Sequence, residues 1–139
     1  MTDKVASIML IDDDDADNFL HKMIIEEMNI TENIMVAEDG AEAMAILTTE
    51  GQKQPDIIFL DINMPKMNGW EFLEAYQNAD IKDKARTIIA MLTTSINPDD
   101  KIKALEKFSS LVRGYFNKPL TPEILNDVLE QHIKFDQGL

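Results

Sequence analysis

Five short apolar runs, each followed by a segment of helical period, constrain this chain more than any other feature. The runs are Val5–Ile11, Asn33–Ala37, Asp56–Leu60, Thr87–Leu92 and Gly114–Phe116. Several are apolar at consecutive rather than alternate positions. Strands covered on both faces of a parallel sheet have that pattern. The segments between them carry apolar residues at helical spacing: Phe19, Leu20, Met23, Ile24 and Met28 first, then Ala41, Met44, Ala45 and Leu47 within about Gly40–Thr49, then Trp70, Leu73 and Tyr76 after Gly69. A fourth starts at Asn97-Pro98-Asp99-Asp100, which supplies an N-cap, a proline at the first helical position and two acids at the positive helix end. Its predicted apolar face is Ile102, Leu105 and Phe108. The fifth starts at Thr121-Pro122-Glu123 and carries Ile124, Leu125, Val128, Leu129 and Ile133.

A βα unit repeating every ~25–28 residues predicts an α/β doubly wound parallel sheet with helices on both faces. A (β/α)8 barrel needs about 250 residues, and this chain has 139. That length fits one domain.

Charge narrows the partners. There are 26 acids against 13 bases, a formal charge of −13. Phosphate backbones and anionic lipid repel such a chain, so neither nucleic acid nor a membrane surface is an expected partner. Cations and basic protein faces are favoured. With no cysteine, disulfides and thiolate chemistry are excluded. No apolar run approaches the roughly 20 residues that span a bilayer, and four acids interrupt the N-terminal apolar stretch. A cytoplasmic location is expected.

In an open parallel sheet, ligands bind at the carboxyl ends of the strands. The first run ends in Asp12-Asp13-Asp14-Asp15, the third in Asp61, the fourth in Thr93-Thr94-Ser95, and the fifth is followed by Lys118-Pro119. If the first and third strands are neighbours, Asp12, Asp13 and Asp61 converge. Two unit charges 4 Å apart repel by about 4 kcal/mol at an effective dielectric of 20, so such a cluster raises a pKa or recruits a cation. Three carboxylates and Lys118 sum to −2, which one divalent cation balances. All-oxygen ligands favour Mg2+, Mn2+ or Ca2+ over zinc. A calcium loop starting at Asp13 fails, because Asn18 stands where glycine is needed and Ile24 where glutamate is needed. Asp14, Asp15 and Asp17 are read as a solvated loop, with Asp15 or Asp17 capping the first helix. His21 and His132 are read as surface residues.

The stretches IMLIDDDDADNFL, PDIIFLDINMPKMNGWEFL, TIIAMLTTSINPDD and GYFNKPLTPEIL closely resemble the receiver domain of two-component response regulators. The resemblance spans about Val5 to Ile133. It implies a flavodoxin-like sheet of five parallel strands, order 2-1-3-4-5, with five helices on both faces. Asp61 matches the aspartate that receives a phosphoryl group. Asp12 and Asp13 match the acid pair that holds Mg2+ (or Mn2+) with Asp61. Asn63 matches the position whose backbone carbonyl ligates the metal. Thr93 matches the switch hydroxyl, Lys118 the lysine that pairs with the phosphoryl group, and Tyr115 the aromatic switch residue. The Lys118–Pro119 bond is cis by the same analogy. Asn63 and Ser95 match positions that tune dephosphorylation. The family departs from this chain at Lys107–Val112, where a glycine-containing turn is usual, and at Thr94, where a smaller residue is common.

The expected function is a stand-alone receiver, residues 1–139 with no output domain. It accepts a phosphoryl group from a histidine kinase or phosphotransfer protein, and signals by protein contact through the helix 4–strand 5–helix 5 face. It is expected to be a monomer or weak dimer. It is not expected to be an enzyme beyond its own phosphorylation and dephosphorylation. Two other readings stand beside it. One is a haloacid-dehalogenase-like phosphatase with Asp12 as nucleophile and Asp14 as acid, although Ala16 replaces the Thr or Val of that pattern. The other is a non-phosphorylated scaffold.

Overall fold

A computed structural model describes residues 5–82 and 84–136. Its element order is β1 (Val5–Ile11), α1 (Asp15–Met28), β2 (Thr31–Ala37), α2 (Gly40–Leu47), β3 (Ile57–Leu60), α3 (Gly69–Asn78), β4 (Ile88–Thr93), α4 (Pro98–Ile102), β5 (Val112–Asn117) and α5 (Pro122–Asp136). A short 3-10 turn, Lys84–Arg86, precedes β4, and α4 runs on as a π-helical segment, Lys103–Lys107. The strands form one sheet of order β2-β1-β3-β4-β5, every pairing parallel. This is the flavodoxin-like receiver fold, as the strand pattern and the resemblance led one to expect. The strand bounds shift by only one or two residues; β2 reaches back to Thr31 and β5 to Val112.

Consecutive apolar residues in each strand are used on both faces. Met9, Ile11, Ile58, Leu60, Ile89 and Met91 pack on one side with Leu47, Phe72, Leu73, Tyr76, Ala104 and Phe108 from α2, α3 and the α4 region. Ile8, Leu10, Ile57, Phe59, Ala90 and Leu92 pack on the other with Ile25 of α1 and Leu125, Val128 and Leu129 of α5. All four central β3 residues are buried. That burial is the main favourable term holding the sheet to its helices.

Two helical faces differ from the sequence reading. On α1, Phe19 is 71% exposed, and Leu20 and Met23 also face solvent, while Asn18, His21 and Ile25 are buried. Ile24 and Met28 are partly buried against the core. On α4, Ile102 and Leu105 are exposed and only Phe108 of the predicted trio is buried. The π-helical segment advances the chain by more residues per turn than an α-helix, so Ala104 takes the inward position instead.

The histidines also differ from expectation, since both are buried. His132 on α5 lies 3.6 Å from Asp56 through Nε2 and Oδ1. The other Asp56 oxygen accepts from the Ala6 and Ser7 amides. The His132 imidazole beside it, helped by these amides against burial, holds the Asp56 carboxyl below its ordinary pKa. This contact ties α5 to the amino-terminal edge of the sheet, opposite the site described next.

Candidate functional site

Strand register assembles the site. Ile11 of β1 pairs with Leu60 of β3, so the next residues, Asp12 and Asp61, leave the sheet side by side. The Asp61 amide donates to the Ile11 carbonyl at 3.0 Å and the Asp12 amide to the Ala37 carbonyl at 3.0 Å. Thr93 of β4 pairs with Asn117 of β5, and the Lys118 amide donates to the Thr93 carbonyl at 2.9 Å. The Lys118–Pro119 peptide is cis.

Asp12, Asp13 and Asp61 bring one carboxylate oxygen each within 4.8 Å of one another. Asp12 and Asp61 are buried and Asp13 is exposed. The Asp12 Oδ1 accepts from the Asp14 amide at 3.0 Å, and the Asp61 Oδ1 accepts from the Ile62 amide at 2.8 Å. Their other oxygens meet Lys118, whose Nζ is 2.6 Å from Asp12 Oδ2 and 3.4 Å from Asp61 Oδ2. The set is all oxygen and partly open to water, the donor chemistry that suits a hard divalent cation such as Mg2+ or Mn2+.

The electrostatics follow from burial. Loss of water raises the Asp61 pKa above its ordinary value; Lys118 opposes this and Asp12 adds to it. Burial pulls the Lys118 pKa down, but its hydrogen bonds to Asp12 and Asp17 and the charge of Asp61 outweigh that, and the ammonium is held more firmly than usual.

Asp17 is the residue the sequence reading missed. Instead of lying in a solvated loop, it puts Oδ2 2.8 Å from Lys118 Nζ. Nor does it cap α1. Asp14 does, accepting from the Asp17 amide at 3.0 Å. Asn18, also missed, donates from Nδ2 to the Asp12 carbonyl at 2.8 Å and pins the β1–α1 turn. Asn18, His21 and Ile25 recur at helical spacing on one face, a signal masked by the more apolar Phe19, Leu20 and Met23. Burial lowers the His21 pKa, against the pull of Asp17.

The remaining predicted residues lie on β4, on β5 and on the loops after β3 and β4. Asn63 is exposed on the loop after Asp61. That loop is drawn tight: the Gly69 amide donates to the Ile62 carbonyl at 2.8 Å, and a Cβ on Gly69 would lie 2.5 Å from the Asp61 carbonyl oxygen. Thr93 is fully buried, and its hydroxyl oxygen accepts from the Ser95 amide at 3.2 Å. Thr94 is exposed. Ser95 turns toward α4, donating to Asp100 Oδ2 at 2.5 Å and accepting from the Asn97 amide at 3.2 Å. Tyr115 packs against the core with its hydroxyl buried and without a hydrogen-bond partner among the described residues. Burial pushes its pKa up, more than the nearby Ser95 lowers it.

Comparison with known proteins agrees with this geometry. Residues 8–130 match the family model of the response regulator receiver domain. Response regulator Rcp1 of Synechocystis is 38% identical over 104 residues, covering 71% of this chain and 69% of that protein. A chemotaxis protein CheY homolog of Campylobacter jejuni is 33% identical over 107 residues, 77% of each chain. The crystal structure of a two-component response regulator from Cytophaga hutchinsonii superposes with a TM-score of 0.86 at 35% identity, covering 94% of this chain and 98% of that one. The chain therefore belongs to the response regulator receiver family, the phosphoacceptors of two-component signalling.

Proposed function

We propose that Asp61 is the phosphoacceptor. The observation that carries this is the meeting of three carboxylates within 4.8 Å with a lysine ammonium 3.4 Å from Asp61. One Asp61 oxygen attacks the phosphorus of a phosphohistidine on a histidine kinase or phosphotransfer protein. An O–P bond forms, the P–N bond breaks, and its electron pair returns to the imidazole. Positioning and charge neutralisation, rather than covalent work by the protein, accelerate such a transfer.

Asp12 and Asp13 would hold Mg2+ (or Mn2+) with Asp61 and the backbone carbonyl of Asn63. Such an ion would offset repulsion between the carboxylate and the incoming phosphoryl group. Lys118 and the Thr93 hydroxyl contact the added oxygens. Those contacts exist only in the product, so they can bias two conformations. Thr93 gives up the Ser95 amide as it turns, and Tyr115, on the neighbouring strand β5, is the second switch residue. Asn63 and Ser95 set the dephosphorylation rate, with Ser95 first releasing Asp100.

The readout surface in this proposal is the α4–β5–α5 face, where exposed Ile102 and Leu105 add apolar area. We read residues 1–139 as a single receiver domain acting in the cytoplasm as a monomer or weak dimer. No helix among the described residues is long and apolar enough to cross a membrane. A phosphatase built on Asp12 and Asp14 is disfavoured because the Asp14 carboxylate is taken up capping α1.

Incubation with a small acyl phosphodonor in Mg2+ tests the assignment. The unaltered protein should gain one phosphoryl group by mass, and Asp61→Asn should gain none. Robust labelling of that variant would refute it.

A further inference from the structure

Asp17 reaches the site from a different element than the other acids. It sits in the first turn of α1, and its Oδ2 lies 2.8 Å from Lys118 Nζ. It is outside the carboxylate trio within ligand distance of one another. Its side chain is 33% exposed, whereas that of Lys118 is 9% exposed.

A lysine ammonium has three N–H donors and accepts nothing. Here three carboxylates crowd the ammonium, Asp12 at 2.6 Å, Asp17 at 2.8 Å and Asp61 at 3.4 Å. A phosphoryl group on Asp61 brings anionic oxygens that reach Lys118 only when one acceptor leaves. Asp12 is buried and fixed to the β1–α1 turn through the Asp14 amide. Asp61 carries the phosphoryl group itself. Asp17 is the acceptor that water rehydrates at least cost.

We propose that Asp17 is a positioning residue which holds Lys118 in the unphosphorylated protein and competes with phosphoryl oxygens for that ammonium. Its carboxylate therefore weakens the site for a phosphoryl group. The inference rests on Asp61 being the phosphoacceptor. Charge adds to the competition. Asp12, Asp13, Asp17 and Asp61 against Lys118 leave a formal −3 rather than −2, so Asp17 also repels the incoming anion through space. Both effects have the same sign.

Beryllofluoride, a stable stand-in for the phosphoryl group, gives the test. Its affinity in Mg2+ is measured by calorimetry for the unaltered chain, Asp17→Asn and Asp15→Asn. Asp15 is the matched control: it is the other acid of the same helical turn. Asp17→Asn should bind beryllofluoride about three- to fivefold tighter, the equilibrium equivalent of a part-exposed ion pair, while its affinity for Mg2+ alone does not rise. Asp15→Asn should not reproduce the gain, and added salt should shrink it. A misfolded variant loses both affinities, so a gain in one cannot come from damage. Unchanged or weaker beryllofluoride binding by Asp17→Asn, or an equal gain in Asp15→Asn, overturns the proposal. Failure of the unaltered chain to bind beryllofluoride overturns the Asp61 reading, and this inference with it.

Discussion

Lys118 Nζ stands 2.6 Å from Asp12 Oδ2, with both side chains less than a tenth exposed. The contact joins the end of β1 to the residue after β5 across the full width of the site. Removing one partner of a buried pair typically costs 3–5 kcal/mol, because the other charge is left without compensation.

Lys118→Met should therefore lower stability by about 3 kcal/mol without divalent cation. Mg2+ should restore more stability to the variant than it adds to the unaltered protein. The ammonium no longer competes for the carboxylates, and ligand-linked stabilisation grows with affinity. Urea unfolding with and without Mg2+ measures both increments; equal increments would show that Lys118 and the cation do not share these carboxylates.

Asp61 should cost the folded protein stability near neutral pH. Its folded-state pKa is raised by burial, with Asp12 adding and Lys118 opposing. The folded state therefore binds more protons than the unfolded state between the unfolded pKa, about 4, and the higher folded one. Stability falls as pH rises through that window and is level above it. Asp61→Asn removes the cost, so it should raise the melting temperature at pH 7. The gain should vanish toward pH 4. Thermal melts across pH read this directly, and a gain that persists at pH 4 would assign the effect to packing instead.

How much of this was visible in the sequence depends on which element carries the residue. Asp12, Asp61 and Lys118 follow directly from strands and Thr93 ends one, and an apolar run of fixed length fixes where its polar successor emerges. Parallel pairing of Ile11 with Leu60 then sets Asp12 beside Asp61. Asp17, Asn18 and His21 arrive through a helix, and there rotation about the helix axis decides everything. The most apolar stripe of α1 is Phe19, Leu20 and Met23, and hydrophobicity alone turns that stripe inward. The fold turns it outward, because Asn18 must reach the Asp12 carbonyl and Ile25 the sheet. On α4 the reading assumed 3.6 residues per turn throughout. The π-helical Lys103–Lys107 breaks that period, so Ile102 and Leu105 lost the phase they were assigned while Phe108 kept it.

Gly69 places the start of α3 directly against the backbone of the Asp61–Ile62 segment. A Cβ there would stand 2.5 Å from the Asp61 carbonyl oxygen and 3.0 Å from Ile62 Cα, both backbone atoms with no rotamer to escape into. Gly69→Ala should cost about 1–3 kcal/mol, the range for overpacking, and should slow labelling of Asp61 at saturating phosphodonor because the carboxylate is displaced from its partners. Gly51→Ala is the contrasting variant. Its positive φ strains the backbone, but no atom lies near the new Cβ and the site is not approached. Loss of labelling rate in both variants alike would mean that the Gly69 contact has no special hold on Asp61.

The reversed face of α1 makes its own prediction about stability. Phe19 is 71% exposed and Ile25 is fully buried between α1 and the sheet. Phe19→Ser should change unfolding free energy by no more than about 0.5 kcal/mol, as surface substitutions do. Ile25→Ala removes buried methyl and methylene groups and leaves a cavity, so it should cost roughly 2–5 kcal/mol. Denaturant midpoints of the two variants separate the alternatives. A large loss for Phe19→Ser with a small one for Ile25→Ala would restore the apolar stripe to the core. The opposite outcome keeps Phe19, Leu20 and Met23 at the surface beside the residues that surround Asp61.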